Sequence, residues 1–134
     1  MGYREVNLLR GRSLRMFDSA KRCLASGDYD IAAFMADQAV QLYLKSMILE
    51  LSGEMPRTRS IRQLFNALRI VLGKPDDIDQ FVSRSRSLII RLEDVYINSR
   101  YVSREYEREE AEELACFAEE AITFVKSLRG EAKD

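Results

Sequence analysis

Residues 28–51 read Asp-Tyr-Asp-Ile-Ala-Ala-Phe-Met-Ala-Asp-Gln-Ala-Val-Gln-Leu-Tyr-Leu-Lys-Ser-Met-Ile-Leu-Glu-Leu, and the fold is decided there. Asp28 or Asp30 can cap a helix start with its carboxylate. Beyond the cap, the apolar residues do not keep to one stripe. Ile31, Met35 and Leu42 line one side, and Ala32, Ala36, Ala39 and Tyr43 line the next. Phe34, Leu44 and Ile48 widen the arc further. A helix apolar round most of its circumference is buried against several neighbours. Its alanines at helical spacing let another backbone come close. The segment is therefore expected to be the centre of a helical bundle. Its polar exceptions, Asp37, Gln38, Gln41 and Lys45, are either a thin solvent edge or a buried polar cluster.

Working outward, Tyr3 to Ser26 forms a helix with Val6, Leu9, Phe17, Ala20 and Leu24 on its stripe and Arg4, Arg10, Arg15 and Arg22 on the other side. Gly27 supplies a left-handed cap, and the very short turn makes the first two helices antiparallel neighbours. Ser52-Gly53 closes the central helix. After a loop over residues 54–59 containing Pro56, Thr58 or Ser60 can cap a shorter third helix. Its apolar face is Ile61, Leu64, Phe65, Leu68, Val71 and Leu72, and Gly73-Lys74-Pro75 stops it. Asp76 and Asp77 suit the positive end of a fourth helix. That helix places Ile78, Phe81, Val82, Leu88, Ile89, Leu92 and Val95 inward and Arg84, Arg86 and Arg91 outward. Residues 98–106 break the period, with Arg and Tyr concentrated in a loop. The last helix is expected from about Glu107 to Leu128, capped by Ser103 if it starts earlier, with Ala111, Leu114, Ala115, Ala118, Ile122, Val125 and Leu128 inward. Gly130 to Asp134 is expected as a frayed tail. No segment has strand periodicity. The class is all-α, an up-and-down bundle of about five helices, and residues 1–134 are expected to be a single domain.

Composition narrows the function. A chain of 134 residues holds a single core. Net charge of −1 gives no global field for nucleic acid, although a local basic patch remains open. There is no apolar run long enough to span a membrane and no signal-peptide core at the N-terminus, so a cytoplasmic protein is expected. Abundant charge, with Arg well above Lys and few Asn and Gln, leans towards a thermophilic source. Cys23 and Cys116 are neither a disulfide framework nor a metal clip, and are expected as buried thiols on two helices. The chain has no histidine, which removes the commonest general base and the commonest zinc ligand. No phosphate loop or dinucleotide fingerprint is present, and no cofactor or metal is expected. The acids Glu109, Glu110, Glu112 and Glu113 read as a solvated face.

The best candidate for a site is Asn98-Ser99-Arg100-Tyr101. Arg offers a planar fork for phosphate and Tyr a stacking face. Arg100, Tyr101 and Arg104 are expected to bind an anion or a partner; the structural alternative is that Arg100 caps the preceding helix. Arg57, Arg59 and Arg62 bracket Pro56 as a solvated turn or part of a phosphate-contacting patch.

Three blocks of the chain resemble the HEPN domain family (higher eukaryote and prokaryote nucleotide-binding). The first runs from Asp28 through Gln38-Ala39 to Leu44-Lys45. The second is Gly53 through Pro56 to Thr58-Arg59-Ser60-Ile61 and Leu64. The third is Ser99-Arg100-Tyr101. Together they span about residues 5 to 128. The resemblance implies a bundle of about five helices that commonly dimerises, in a bacterial or archaeal setting, often beside a small nucleotidyltransferase. It also implies that some relatives are toxin ribonucleases with an Arg-x(4–6)-His motif. Here the Arg of that motif falls on Arg100, while positions four to seven further on hold Arg104, Glu105, Tyr106 and Glu107, with no His. The family's His in the second block is Arg59, its frequent Glu in the first is Gln41, and the proline after Arg-Tyr is Val102.

Three functions follow as expectations. The first is a non-catalytic HEPN-like homodimer that binds a nucleotide, RNA or a nucleotidyltransferase, as half of a toxin–antitoxin-type pair. Its ligand-binding set is Arg100, Tyr101, Arg104, Tyr106, Arg59 and Lys45. The second is a divergent ribonuclease in which Arg100 and Tyr106 work without His, although a phenol is a poor base at neutral pH. The third is a helical peptide-binding scaffold, suggested by Gly27-Asp28-Tyr29 and spaced alanines. Such a scaffold needs about three repeats of 34 residues, and none recurs.

Overall fold

The computed structural model describes residues 2–73, 75–101 and 104–133, with side-chain surroundings for 3–73, 75–101 and 104–128. Six helices follow one another: α1 (Gly2–Ser26), α2 (Tyr29–Ser52), α3 (Ile61–Leu72), α4 (Pro75–Arg84), α5 (Arg86–Tyr101) and α6 (Arg108–Lys133). No strand occurs among the described residues.

The central helix is where the sequence places it. α2 packs against α1, α3, α5 and α6, and Ala32, Ala33, Ala36 and Ala39 are fully buried on it. Leu44, Met47 and Ile48 join Leu64, Phe65, Leu92, Leu114 and Phe117 in one continuous core. Each such large side chain removed from water contributes about 1.5–3 kcal/mol before ordering costs are counted. Ile31, on the expected apolar surround of α2, is instead exposed, as is Val71 on α3. Phe81 carries the core outward from α4, stacking on Phe124 with ring centres 4.3 Å apart.

The glycine after α1 has the expected left-handed conformation, with Gly27 at φ 84°. Only two residues separate α1 from α2, which forces the antiparallel pairing. Asp28 precedes α2 but makes no side-chain cap, and Asp30 accepts only from the neighbouring Ile31 N–H, at 2.9 Å. At α3 the cap is Ser60, whose hydroxyl accepts from Gln63 N–H at 3.2 Å; Thr58 in turn accepts from Ser60 N–H.

Several expectations are corrected. The fourth helix divides at Ser85, where the inward stripe meets a buried serine. The helical hydrogen bonds nonetheless continue across the break, from Ser85 N–H to Phe81 and from Ile89 N–H to Ser85. α5 then runs on to Tyr101, so Asn98 to Tyr101 is its last turn and no loop. α6 extends to Lys133, into the stretch expected as a frayed tail. Arg10 leaves the solvent side of α1. Its guanidinium pairs with Glu50 at 2.9 Å and lies 5.4 Å over the Tyr43 ring. Cys23 is half-buried and Cys116 exposed, and both are free thiols. Ser103, a possible cap of α6, and Val102 lie outside the described residues.

Candidate functional site

The polar exceptions on α2 form a cluster with a buried centre, Asp37 and Gln41, and half-buried flanks, Gln38 and Lys45. Asp37, Gln38, Gln41 and Lys45 recur within about a third of the helix circumference at 3.6 residues per turn. Asp37 is completely buried and Gln41 nearly so. A buried carboxylate must be hydrogen-bonded, and this one accepts from Gln41 Nε2 at 3.0 Å and Gln38 Nε2 at 3.2 Å. Burial pushes the Asp37 pKa up to about 6, against the pull of both glutamine amides and of Arg59. Lys45, further along the same face, is pushed down, first by burial and then by Arg59, while Asp37 opposes the shift.

Arg59 reaches this cluster from the segment before α3. That segment is fixed by Glu93 of α5, which accepts from Ser60 Oγ at 3.0 Å and from Arg62 N–H at 2.9 Å. The same carboxylate pairs with the Arg62 guanidinium at 3.0 Å. With the loop so held, the Arg59 guanidinium stacks 3.5 Å from the centre of the Tyr96 ring. Tyr96 lies one turn beyond Glu93, and Arg100 one turn further. Arg100 is exposed and places its guanidinium 5.3 Å from the same ring and 5.8 Å from the Tyr101 ring. Arg59 and Arg100 thus share the Tyr96 ring, while Lys45 and Asp37 lie within electrostatic reach of Arg59, and Glu93 within reach of Asp37. A cation on an aromatic face keeps its N–H edges available to an anion.

The remaining candidates, Arg104 and Tyr106, lie in the segment between α5 and α6. Asn98 donates to the Tyr106 hydroxyl at 3.1 Å, and Tyr106 is buried. Arg104 sits 4.1 Å over the Tyr106 ring and pairs with Glu110. Asn98 is two residues from both Tyr96 and Arg100, about 200° round a helix. The structure therefore brings Arg59 and Arg100 together on one side of α5, with Lys45 within electrostatic reach of Arg59, and Arg104 and Tyr106 on the other. Tyr101 is exposed at the edge of the first group. Three residues missed as site members, Asp37, Glu93 and Tyr96, complete that group. The signal for Asp37 was its place among four polar residues in an otherwise apolar helix. Glu93 and Tyr96 gave no comparable signal.

Among the described residues, no group of three acidic, Cys or His side chains is placed to hold a metal. No helix among them is long and apolar enough to cross a membrane.

A six-helix bundle threaded by a buried polar stripe, with stacked arginines at its surface, defines an all-α module. The HEPN domain model matches residues 6–128, and the chain belongs to that family. No curated protein matches it.

Proposed function

We propose that the protein is a non-catalytic HEPN module, residues 1–134 forming one domain, that holds the phosphate of a nucleotide or of RNA on the face made by Lys45, Arg59 and Arg100. The observation that carries this is the Arg59 guanidinium stacked 3.5 Å over Tyr96, with Arg100 on the same ring. Arg59 stands where the family resemblance has a His. The substitution exchanges a titratable base for a permanent cation with a bidentate fork. Family habit supports a homodimer and a small nucleotidyltransferase as the protein partner, in a toxin–antitoxin-type pair.

The divergent-ribonuclease alternative fares worse against the geometry. Tyr106 is buried, with its hydroxyl engaged by Asn98, on the far side of α5 from Arg100. Asp37 titrates near neutrality but is fully buried with both oxygens taken. Neither is placed to accept a proton from a substrate hydroxyl.

Fluorescence anisotropy with a labelled single-stranded RNA oligonucleotide and with a fluorescent ADP tests the proposal. Arg59→Ala should weaken binding about tenfold or more, since Arg–phosphate bonds are charge-assisted, and affinity should fall steeply with salt. Wild-type protein that binds neither probe, or binds them independently of Arg59, would overturn it. Metal-independent RNA cleavage that disappears in Arg100→Ala would overturn the non-catalytic part.

A further inference from the structure

The first helix carries a self-complementary surface. Glu5, Leu8, Leu9 and Arg12, together with Leu49 and Met55 from the far end of α2 and the loop after it, line a groove of about 280 Å³. Leu8 and Met55 are each about half exposed, at 51% and 49%. Glu5 and Arg12 are also exposed, and Leu9 is half-buried. These four α1 residues form the pattern Glu-x-x-Leu-Leu-x-x-Arg, symmetric in spacing and opposite in charge at its ends. At 100° per residue, Glu5 and Arg12 lie within about 10° of the direction midway between Leu8 and Leu9. The two leucines flank that direction equally.

A two-fold axis perpendicular to both that direction and the helix axis, midway between two copies that face each other along it, turns the helix onto an antiparallel partner. Glu5 then faces Arg12 of the second copy, Arg12 faces its Glu5, and the leucines meet at the centre. A symmetric dimer contact is isologous and must be self-complementary in this way. The geometry points to this α1 face as the surface on which a second copy of the chain docks. The occupant is chosen by charge complementarity, because no shift of one residue along the helix preserves both ion pairs. The inference rests on the homodimer in the proposed function and names its interface. It places that interface on α1, away from the Arg59–Tyr96 stack on α5.

Charge exchange tests it. Light scattering across a concentration series should show wild type above the 15.5 kDa of one chain. Glu5→Arg and Arg12→Glu alone should each weaken self-association about tenfold or more, because each sets like charges opposite each other twice. An equimolar mixture of the two variants should regain the dimer, and so should the double variant Glu5→Arg with Arg12→Glu. Thermal melts check folding. Leu8→Asn, which removes the apolar centre without changing charge, carries the test if a charge variant does not fold.

A monomeric wild type overturns the inference and the homodimer reading together. A dimer indifferent to all of these variants overturns the inference alone, as does weakening that neither the mixture nor the double variant repairs. RNA and ADP titrations on Glu5→Arg stay at wild-type affinity per chain if the phosphate site is independent. Failure of one claim is thereby separated from failure of the other.

Discussion

The two sides of α5 use arginine in opposite ways. On the α6 side, each arginine meets a carboxylate: Arg104 pairs with Glu110, and Arg91 with Glu113 at 2.8 Å. Asn98 and the buried Tyr106 fill the space between the helices. On the other side, one arginine, Arg62, pairs with Glu93 to hold the loop, but Arg59 and Arg100 share the face of Tyr96, and Lys45 lies within electrostatic reach of Arg59 and of the buried Asp37. Pairing with a carboxylate neutralises a guanidinium, and the Arg91–Glu113 pair also ties α5 to α6. Stacking on a ring orients it and leaves its charge uncancelled. One side of the helix is therefore built as a joint, and the other leaves guanidinium charge uncancelled, where the proposed function puts the phosphate.

The largest way to break this contrast is at the joint. Tyr106→Ala should destabilise the fold by about 3 kcal/mol or more, as for other large buried aromatics cut to alanine. Binding of RNA or ADP at saturating stability should not move. Chemical denaturation read beside an anisotropy titration decides it, and a binding loss without a stability loss would reverse the assignment of the two sides.

The next effect comes from the buried acid within electrostatic reach of Arg59. The Asp37 pKa is raised from 3.8 to about 6, so the folded chain holds a proton that the unfolded chain releases between those values. The stabilising contribution is present at low pH and is lost as pH rises through about 6. Relative to Asp37→Asn, wild type should lose up to ~3 kcal/mol between pH 4 and pH 7, at 1.36 kcal/mol per pKa unit. Melting curves of both proteins across that range measure the difference. Protonation also removes a negative charge beside Lys45 and Arg59, so phosphate affinity should rise as pH falls through 6.

Glu93→Ala comes third. It leaves Ser60 Oγ and Arg62 N–H without their carboxylate, which should cost about 1–3 kcal/mol. It should also weaken ligand binding, because Arg59 loses its anchored loop. Arg100→Ala is the smallest in stability, at about 0.3–1 kcal/mol for an exposed cation at a helix end. In titration, however, it should reduce affinity about tenfold. A large melting shift with unchanged affinity would make Arg100 part of the joint.

Much of the fold was legible because α2 had too many apolar faces to be anything but central, and Gly27 and Ser60 marked helix ends. The break at Ser85 was not legible, since the apolar stripe passes through it at an unbroken period. The extension of α5 to Tyr101 was hidden by its polar, Arg- and Tyr-rich composition, which has no inward stripe because that turn stands at the bundle end. The site was half legible. Lys45, Arg59 and Arg100 could be named from charge and resemblance. Their separation from Arg104 and Tyr106 depends on where Asn98 falls round the helix, and so on the helix being there at all. Whether Asp37 was wet or dry depended on α3 and α5, and no residue on α2 could reveal it. Arg10 was misplaced for the same reason, since its partners Glu50 and Tyr43 lie on the neighbouring helix.

The buried serine of α1 has a kinetic consequence. Ser13 donates to the carbonyl of Ala39 at 2.6 Å, across a pair of helices joined by only two residues. Closing so short a connection has little entropic cost, and contacts local in sequence form fast. The α1–α2 hairpin is thus the natural nucleus, with its alanines already close-packed before α3 to α6 condense on it. Ala39→Gly should slow refolding more than it speeds unfolding, whereas Leu128→Ala, far along α6, should do the opposite.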